Sequence, residues 1–180
     1  MIQPRQFRDL MAGVCAPVTI VTTMTNGVPH GATVSSLASL SLNPPLVSVA
    51  FDRGSALLRQ IQAAGRFGVN ILGHAQDELA VTFARRGADR FAAAPWFTDH
   101  ALPRLAGAPG WMACELDRSI EAGDHQLLFG LVTAASSRQD QPPLVYAHRT
   151  FGTHSRFAER GRPKDPKVPS IADLIAACAS

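Results

Sequence analysis

Small hydroxyl side chains recur along one segment of this chain in a pattern that suits ligand binding. The segment 30–51 is HGATVSSLASLSLNPPLVSVAF, with hydroxyls at positions 33, 35, 36, 39 and 41. Alternate hydroxyls beside free backbone amides can hydrogen-bond the polar edge of a flat heteroaromatic ring while adding little bulk. The alternative is an edge strand with an ordinary polar face, and the hydroxyls by themselves leave both possibilities open.

A second candidate is the tripeptide Gly123-Asp124-His125, which stands between two predicted strands. On its own it predicts a hairpin turn, because glycine and aspartate suit tight turns. An isolated histidine at such a place more often has a structural role than a chemical one, so the residues alone do not assign it a function.

A third candidate is the start of a predicted helix at Ser55. This serine is a good N-cap for the segment 55–65, SALLRQIQAAG, and the final glycine ends the helix. A helix N-terminus presents free amides and the positive end of the helix dipole to an anion. Arg53 and the pair Arg85-Arg86 could add charge-assisted bonds, although solvated arginines at a helix end are an equally good interpretation.

The elements that must position these groups are mostly strands. Apolar and β-branched runs predict strands, with Asn26-Gly27 as a hairpin turn; they cover 17–24, 28–42, 46–51, 66–72, 111–123, 125–135 and 142–151. Helical spacing predicts helices over 3–15, 55–65, 76–86 and 170–178. Strands and helices do not alternate strictly, so an antiparallel barrel with helical decoration fits better than a doubly wound parallel sheet.

The segment 88–110 carries three prolines and two glycines. Its irregular composition predicts a surface loop, and a loop of that length inside a compact domain is usually functional.

Composition and charge narrow the class of protein. The chain of 180 residues is one domain by length, and 46% apolar with 17% charged residues is typical of a soluble globule. No run of eighteen apolar residues predicts a membrane span. The N-terminus, MIQPRQFRDL, is charged where a secretory signal would be apolar, so we expect a cytoplasmic protein.

Several kinds of site are disfavoured. The cysteines Cys15, Cys114 and Cys178 form no Cys-x-x-Cys pair, which argues against disulfides and zinc. The six histidines show no metal-ligand spacing, and glycine-rich dinucleotide or phosphate-loop motifs and a Gly-x-Ser-x-Gly elbow are missing. The excess of basic residues between 156 and 167 equals the net charge of +3, which indicates a solvated connector and not a nucleic-acid surface.

The hydroxyl segment resembles the flavin-binding stretch of the flavin reductase-like family, roughly Gly-x-Thr-x-Ser/Asn-Ser, a serine-rich strand and Pro-Pro-Leu-Val. This chain has Gly31, Thr33, Ser35 and Ser36, then PPLV at 44–47. Further stretches follow in the family's order, so that the resemblance covers about residues 7–152: FRDLMAGVCAPVTIVTT, FGVNIL, ADRF with Trp96, WMACEL and AGDHQLLFGLV.

This resemblance implies an FMN-binding split barrel: a mainly β, antiparallel Greek-key barrel decorated by short α-helices, in a homodimer with the flavin near the interface. It implies an NAD(P)H:flavin oxidoreductase that transfers hydride from NADH or NADPH to FMN or FAD and supplies reduced flavin to a partner monooxygenase. We expect this domain over 1–155, followed by a basic connector and C-terminal helix over 156–180.

The resemblance also implies site residues. His125 would position the nicotinamide, the hydroxyls at 33, 35 and 36 would contact the ribityl chain and ring, and Ser55 would meet the phosphate. The backbone at 50 and 51 would face the pyrimidine edge. The predicted cofactor-binding residues are Thr33, Val34, Ser35, Ser36, Ala50, Phe51, Arg53, Ser55, Arg85, Arg86, Arg90, Phe91, Gly123, Asp124 and Tyr146. Family members often carry a hydroxyl two residues after Ser55, where this chain has Leu57, which weakens the predicted phosphate site.

Other functions are compatible with the same residues. One is a flavin-binding electron carrier or redox sensor on the same fold, without reductase turnover. An oxidase of the pyridoxamine-phosphate type would show more basic residues than this core has, and a nucleic-acid binder with a basic tail is more remote. Tyr146 has the alternative role of an ordinary core aromatic.

Overall fold

The structure, a computed structural model, describes residues 2–85, 89–138 and 141–154. Arg86 and the segments 156–167 and 170–178, for which a connector and a helix are predicted, lie outside the described residues. The α-helices of the described part are α1 (Pro4–Ala12), α2 (Ala56–Ala64) and α3 (Asp77–Ala84), with a 3-10 turn at His74–Gln76. The predicted helices at these places are confirmed.

An antiparallel sheet of seven strands forms the centre of the molecule. Its strands are β2 (Thr19–Thr25), β3 (Val28–Val34), β4 (Ala38–Leu42), β5 (Pro45–Asp52), β6 (Arg66–Ile71), β9 (Gly110–Ala122) and β10 (His125–Ser137). They follow the order β3-β2-β6-β9-β10-β5-β4, and the two end strands are not paired with each other within the described residues. The predicted mainly β, antiparallel class is therefore confirmed.

Two smaller sheets complete the described part. β1 (Ala16–Pro17) pairs with β11 (Val145–Ala147), which pairs with β12 (Thr150–Gly152). β7 (Trp96–Asp99) pairs with β8 (Leu102–Leu105). No helix among the described residues is long and apolar enough to cross a membrane.

The Asn26-Gly27 turn forms as the sequence predicts. Thr25 pairs with Val28, which leaves two turn residues, and both have positive φ, 51° at Asn26 and 76° at Gly27. Asparagine and glycine adopt this left-handed conformation at low cost, and a two-residue turn of this kind matches the twist of the flanking strands.

The stretch 28–42, predicted as one extended segment, is two strands at opposite ends of the sheet. β3 pairs with β2, whereas β4 pairs with β5. Residues 35–37 carry the chain from one to the other. The period-two pattern does not signal this change of partner, because both halves are extended and both have one polar face.

A surface loop is predicted over 88–110, and this prediction is wrong for most of the described part of the segment. Its centre is the β7–β8 hairpin, and Leu102 and Leu105 are buried. Arg104 stacks between the rings of Phe97 and Trp111, 5.6 and 5.1 Å from their centroids. The apolar side chains between the prolines bury enough surface to order the segment.

Two larger buried clusters pack against the central sheet, beside a small one that contains Leu102 and Trp111. One joins α2 to the sheet through residues such as Leu58, Ile61 and Phe67. The other joins α3 to the sheet and includes Ile20 and Phe83. Cys114 belongs to the first cluster, and burial raises the pKa of its thiol to about 12, so this cysteine is a packing residue.

Gly130 in β10 gives a test of this packing. A Cβ at this position would lie 2.4 Å from Cζ of Phe67 and 3.0 Å from Cβ of Cys114, both in the core. We expect Gly130→Ala to lower the free energy of unfolding by about 1–3 kcal/mol, the usual cost of an overpacked core, in urea denaturation. Gly152→Ala is the control, because a Cβ there meets nothing within 4 Å. Equal stability of the two variants would contradict this account.

Candidate functional site

The turn that precedes α2 and the β9–β10 turn are held together by backbone pairing. His125 is opposite Asp52 in the β5–β10 register, and the Arg53 amide donates to the Asp124 carbonyl at 3.1 Å. Within the first turn, the Asp52 carboxylate accepts from the Gly54 amide at 2.7 Å. The predicted phosphate-binding helix start and the predicted nicotinamide-binding tripeptide therefore lie side by side.

Ser36 closes the same end of β5. Its hydroxyl donates to the Ala50 carbonyl at 3.0 Å, and its oxygen accepts from the Ala50 amide at 2.9 Å. The Ser36 side chain thus replaces a neighbouring strand at a point beyond the pairing of β4, which begins at Ala38. The Ala50 backbone groups predicted to face a pyrimidine edge are engaged by Ser36, and the Phe51 side chain is buried in the core.

Asp124 and His125 form a side-chain pair at the tip of this region. Asp124 Oδ1 lies 2.7 Å from His125 Nδ1, and the two side chains are 88% and 46% exposed. The hydrogen bond from His125 and its charge, with a smaller contribution from Arg53, lower the pKa of Asp124. An ionised carboxylate only accepts hydrogen bonds, so Nδ1 carries the proton and Nε2 is left to meet a ligand.

Arg53 has a second partner on the hairpin. Its guanidinium lies 4.0 Å from the Glu121 carboxylate, and both side chains are more than half exposed. An exposed pair at this distance contributes little stability. Arg53 is therefore a cation at the rim of the site, held near it chiefly by its backbone hydrogen bond to Asp124.

A cleft of about 350 Å³ opens beside the first turn of α2 and is named here the Arg90 cleft. Arg90 donates to the backbone carbonyls of Gly31 and Arg85, and burial lowers its pKa, although a guanidinium keeps its charge at neutral pH. Its lining residues are Pro29, His30, Gly31, Ala56, Leu57, Gln60, Asp89, Arg90 and Phe91.

The Arg90 cleft combines the groups that an anion needs. Ser55 caps α2, and its oxygen accepts from the Leu58 amide at 3.4 Å. The first amides of α2 have no partner within the helix, and Ala56 and Leu57 at this helix start line the cleft. Phe91 is fixed by edge-to-face contacts with Phe83 and Trp96, at 5.1 and 5.6 Å between ring centroids. A rigid wall, a cation and a helix N-terminus meet here.

A larger cleft, of about 540 Å³, lies between α3 and the β11–β12 hairpin and is named the Tyr146 cleft. Thr33 is on its floor, but its hydroxyl donates to the Ala80 carbonyl at 2.6 Å. The lining residues are Val18, Thr33, Ser35, Ala80, Val81, Ala84, Arg85, Tyr146, Arg149, Thr150 and Phe151.

The structure therefore divides the predicted site residues into groups. One group lies around the start of α2 and consists of Ser36, Ala50, Phe51, Arg53, Ser55 and the tripeptide 123–125. Arg90 and Phe91 lie in the cleft beside this group. Thr33, Ser35, Arg85 and Tyr146 line the Tyr146 cleft. Val34 packs into the core, so only its backbone is available to a ligand, and Arg86 lies outside the described residues.

Sequence reasoning missed His30 in the first cleft and Arg149 and Phe151 in the second. Arg149 has a positive φ of 60°, a conformation that a sequence motif does not reveal at a residue other than glycine. His30 directly precedes Gly31, the glycine of the family motif in the hydroxyl segment. Its place next to this motif is the one feature of the sequence that could have pointed to His30.

Known proteins resemble this chain over most of its length. Residues 11–155 match the flavin reductase like domain family. The reductase subunit HsaB of a flavin-dependent monooxygenase from Rhodococcus jostii is 37% identical, over 81% of this chain and 75% of that protein. A NADH:riboflavin 5'-phosphate oxidoreductase from Streptomyces pristinaespiralis is 38% identical, over 84% and 89% of the two chains.

A solved structure agrees with these matches. The nitrilotriacetate monooxygenase component B from Mycobacterium thermoresistibile superposes with a TM-score of 0.82 at 30% identity, and the match covers 93% of this chain and 96% of that one. The chain belongs to the flavin reductase family, as the sequence predicts, and it is an oxidoreductase of that class.

The Asp124–His125 pair can be tested without turnover. We expect Asp124→Ala to convert neutral His125 from the Nδ1–H tautomer to a mixture with Nε2–H, because the acceptor for the Nδ1 proton is lost. The ¹⁵N chemical shifts of the imidazole report this change directly. In the unaltered protein the pair should persist as pH falls below the ordinary carboxyl range and break only as pH passes the lowered pKa of Asp124.

Glu121→Gln is the matched control, since it removes a carboxylate of the same hairpin that contacts Arg53 and not the imidazole. Unchanged imidazole shifts in Asp124→Ala would show that the carboxylate does not set the tautomer.

Proposed function

We propose that this protein transfers hydride from NADH or NADPH to FMN or FAD, with the two cofactors meeting where the tripeptide 123–125 adjoins the start of α2. The single observation that carries the proposal is the hydrogen bond from the Arg53 amide to the Asp124 carbonyl, at 3.1 Å. It joins a turn able to hold a phosphate to a turn that presents an oriented imidazole. The names of the relatives support the same chemistry.

The residues present fit a flavin mononucleotide unit. The free amides at the start of α2 and the guanidinium of Arg90 would hold the phosphate. The end of β5 closed by Ser36 and the backbone at Phe51 would border the ring. When bound, the flavin supplies the hydride-accepting ring system, and the chain supplies its position.

His125 Nε2 would orient the nicotinamide carboxamide or ribose, since Nδ1 is engaged by Asp124 at 2.7 Å. Hydride transfer needs no acid or base from the protein, so holding two rings face to face accounts for the catalysis.

We also propose that the sheet forms the family's split barrel in a homodimer, and that a partner monooxygenase receives the reduced flavin. Support for the dimer comes from apolar side chains exposed on α1, just after it and on β4: Phe7, Leu10, Met11, Val14, Leu40 and Leu42. Single exposed apolar residues are normal, but several of them grouped on one helix or strand are typical of an interaction surface. Support for the partner comes from the relative named as a monooxygenase reductase subunit.

The reductase function is tested by mixing the full chain with NADH or NADPH and with FMN or FAD, and following absorbance at 340 nm. We expect His125→Ala to raise the KM for the nicotinamide about tenfold, the loss of one hydrogen bond, with flavin affinity within twofold. His74→Ala is the control, because His74 is exposed and outside both clefts. Absence of flavin-dependent oxidation with every pairing would favour an electron carrier.

The dimer is tested by sedimentation velocity. We expect the unaltered chain to sediment as a dimer and Leu42→Glu to shift it toward monomer, because Leu42 is 90% exposed and a buried charge at an interface is costly. A monomer at every concentration of the unaltered chain would refute the proposed dimer.

A further inference from the structure

His30 is a polar side chain of the Arg90 cleft to which the proposed function gives no role. It lies on β3 opposite Thr23 of β2, it is half-buried, and it lines the cleft directly before Gly31. Within the described residues its imidazole makes no hydrogen bond and no ion pair. Both ring nitrogens are therefore available to a ligand in the cleft.

The other charged residues that line the Arg90 cleft balance each other. Arg90 brings one positive charge and Asp89 one negative charge, and the remaining lining residues apart from His30 are uncharged. The Asp89 carboxylate accepts from the Ala92 amide at 3.1 Å, and the Arg90 guanidinium donates to backbone carbonyls. Both charges are thus anchored by the backbone, and His30 decides the charge of the lining as a whole.

The elements packed around His30 bring no further charge to the lining. α2 contributes the uncharged Gln60, while its Arg59 donates to the Gly54 carbonyl at 3.2 Å and is not among the lining residues. On β2 the residue opposite His30 is the uncharged Thr23. Among the described lining residues, a charge on His30 is therefore faced by one carboxylate and one guanidinium.

The neutral and the protonated form of His30 give the cleft different charges. With a neutral imidazole the lining carries no net charge, and with an imidazolium it carries one net positive charge. Histidine is the side chain whose charge changes between about pH 5 and pH 8. An imidazolium also donates charge-assisted hydrogen bonds, which are roughly twice as strong as neutral ones. An anion in the cleft is held more tightly by the protonated form, and this part of its affinity is lost as pH rises.

From this geometry we infer that His30 makes the binding of a flavin phosphate in the Arg90 cleft depend on pH, with tight binding by the imidazolium and release favoured by the neutral ring. The inference rests on the proposed function, which places a flavin phosphate in this cleft. It gives the protein a way to weaken its hold on the flavin without any rearrangement of the core, because only the proton on one half-buried side chain changes.

Calorimetric titration of the flavin-free full chain with FAD and with riboflavin, at about pH 6 and about pH 8, tests the inference without NAD(P)H. The diphosphate of FAD keeps its negative charges over this range, and riboflavin has no phosphate. We expect the Kd for FAD to rise about tenfold from the lower pH to the higher, as for the loss of one charge-assisted hydrogen bond. The Kd for riboflavin should change less than twofold.

Two variants of the lining should change this behaviour in different ways. His30→Gln keeps a hydrogen-bonding side chain but takes up no proton, so at both pH values its Kd for FAD should stay near that of the unaltered chain at the higher pH. Asp89→Asn can still accept from the Ala92 amide but leaves the charge of Arg90 unbalanced. It should bind FAD several-fold more tightly than the unaltered chain at the higher pH.

His74→Gln is the matched control, because His74 is exposed and outside both clefts, and it should keep the full pH dependence. The inference is overturned if the unaltered chain shows no pH dependence, if His30→Gln keeps it, or if riboflavin shows it equally. Failure of the proposed phosphate site gives a different result: Arg90→Gln would then leave the ratio of the FAD and riboflavin affinities unchanged at both pH values. A ratio that falls in Arg90→Gln, with the pH dependence kept in His30→Gln, would contradict the role of His30 alone.

Discussion

The pairing of β5 with β10 is the constraint on which the rest of the site depends. It runs in register from Leu46 and Leu131 to Asp52 and His125, and it continues past the strand end through the Arg53 amide and the Asp124 carbonyl at 3.1 Å. A one-residue slip would turn every side chain of β5 to the opposite face. The buried Val47, Val49 and Phe51 therefore fix the place of the histidine as well as the core.

Gly130 and Ser36 both support the pairing of β5 with β10. Gly130 acts where β10 meets the core, and Ser36 acts at the other edge of β5. A Cβ at Gly130 would collide with Phe67, so the glycine lets β10 approach the core, while the Ser36 hydroxyl satisfies the Ala50 backbone where β4 has not yet begun. An unpaired backbone amide and carbonyl at that edge would cost as much as a lost hydrogen bond each. Ser36 therefore satisfies the backbone groups at this edge of β5 without a further strand, and the space beside that edge stays open.

Local sequence patterns predicted the helices, strands and turns well. They predicted less well which segments pair or pack against one another. Asn26-Gly27, Ser55 with the glycine that ends its helix, and the glycine of the tripeptide 123–125 each encode a turn or a cap in their own chemistry, and the structure has each of them. The partner change at residues 35–37 and the buried β7–β8 hairpin depend on contacts between distant segments. A periodic pattern shows which face is apolar, but it does not show what covers that face.

The same distinction applies to the site. The family motif brought together residues near the start of α2, yet it also grouped Thr33, Ser35, Arg85 and Tyr146 with them, and these line a different cleft. Residues 35–37 connect β3 to β4, and within them Ser35 lines the Tyr146 cleft whereas the Ser36 hydroxyl is bonded to the Ala50 backbone. The sequence did not point to Arg149, because the position of this residue beside the cleft depends on an unusual backbone angle and on its ion pair with Asp9, 140 residues away.

The two halves of the candidate site, one around Arg90 and one around Asp124 and His125, differ in exposure. This difference suits a flavin reductase, which must bind two ligands, the flavin and the nicotinamide. Arg90 is partly buried and bonded to two backbone carbonyls, so the guanidinium of the proposed anion site is held in place by the fold itself. Asp124 and His125 are exposed and held by one mutual hydrogen bond, so they can be approached from solvent without opening the core. In the proposed function, an anion site that exists before ligand binding, with an open imidazole beside it, would let the nicotinamide enter and leave while the groups proposed to position the flavin stay fixed.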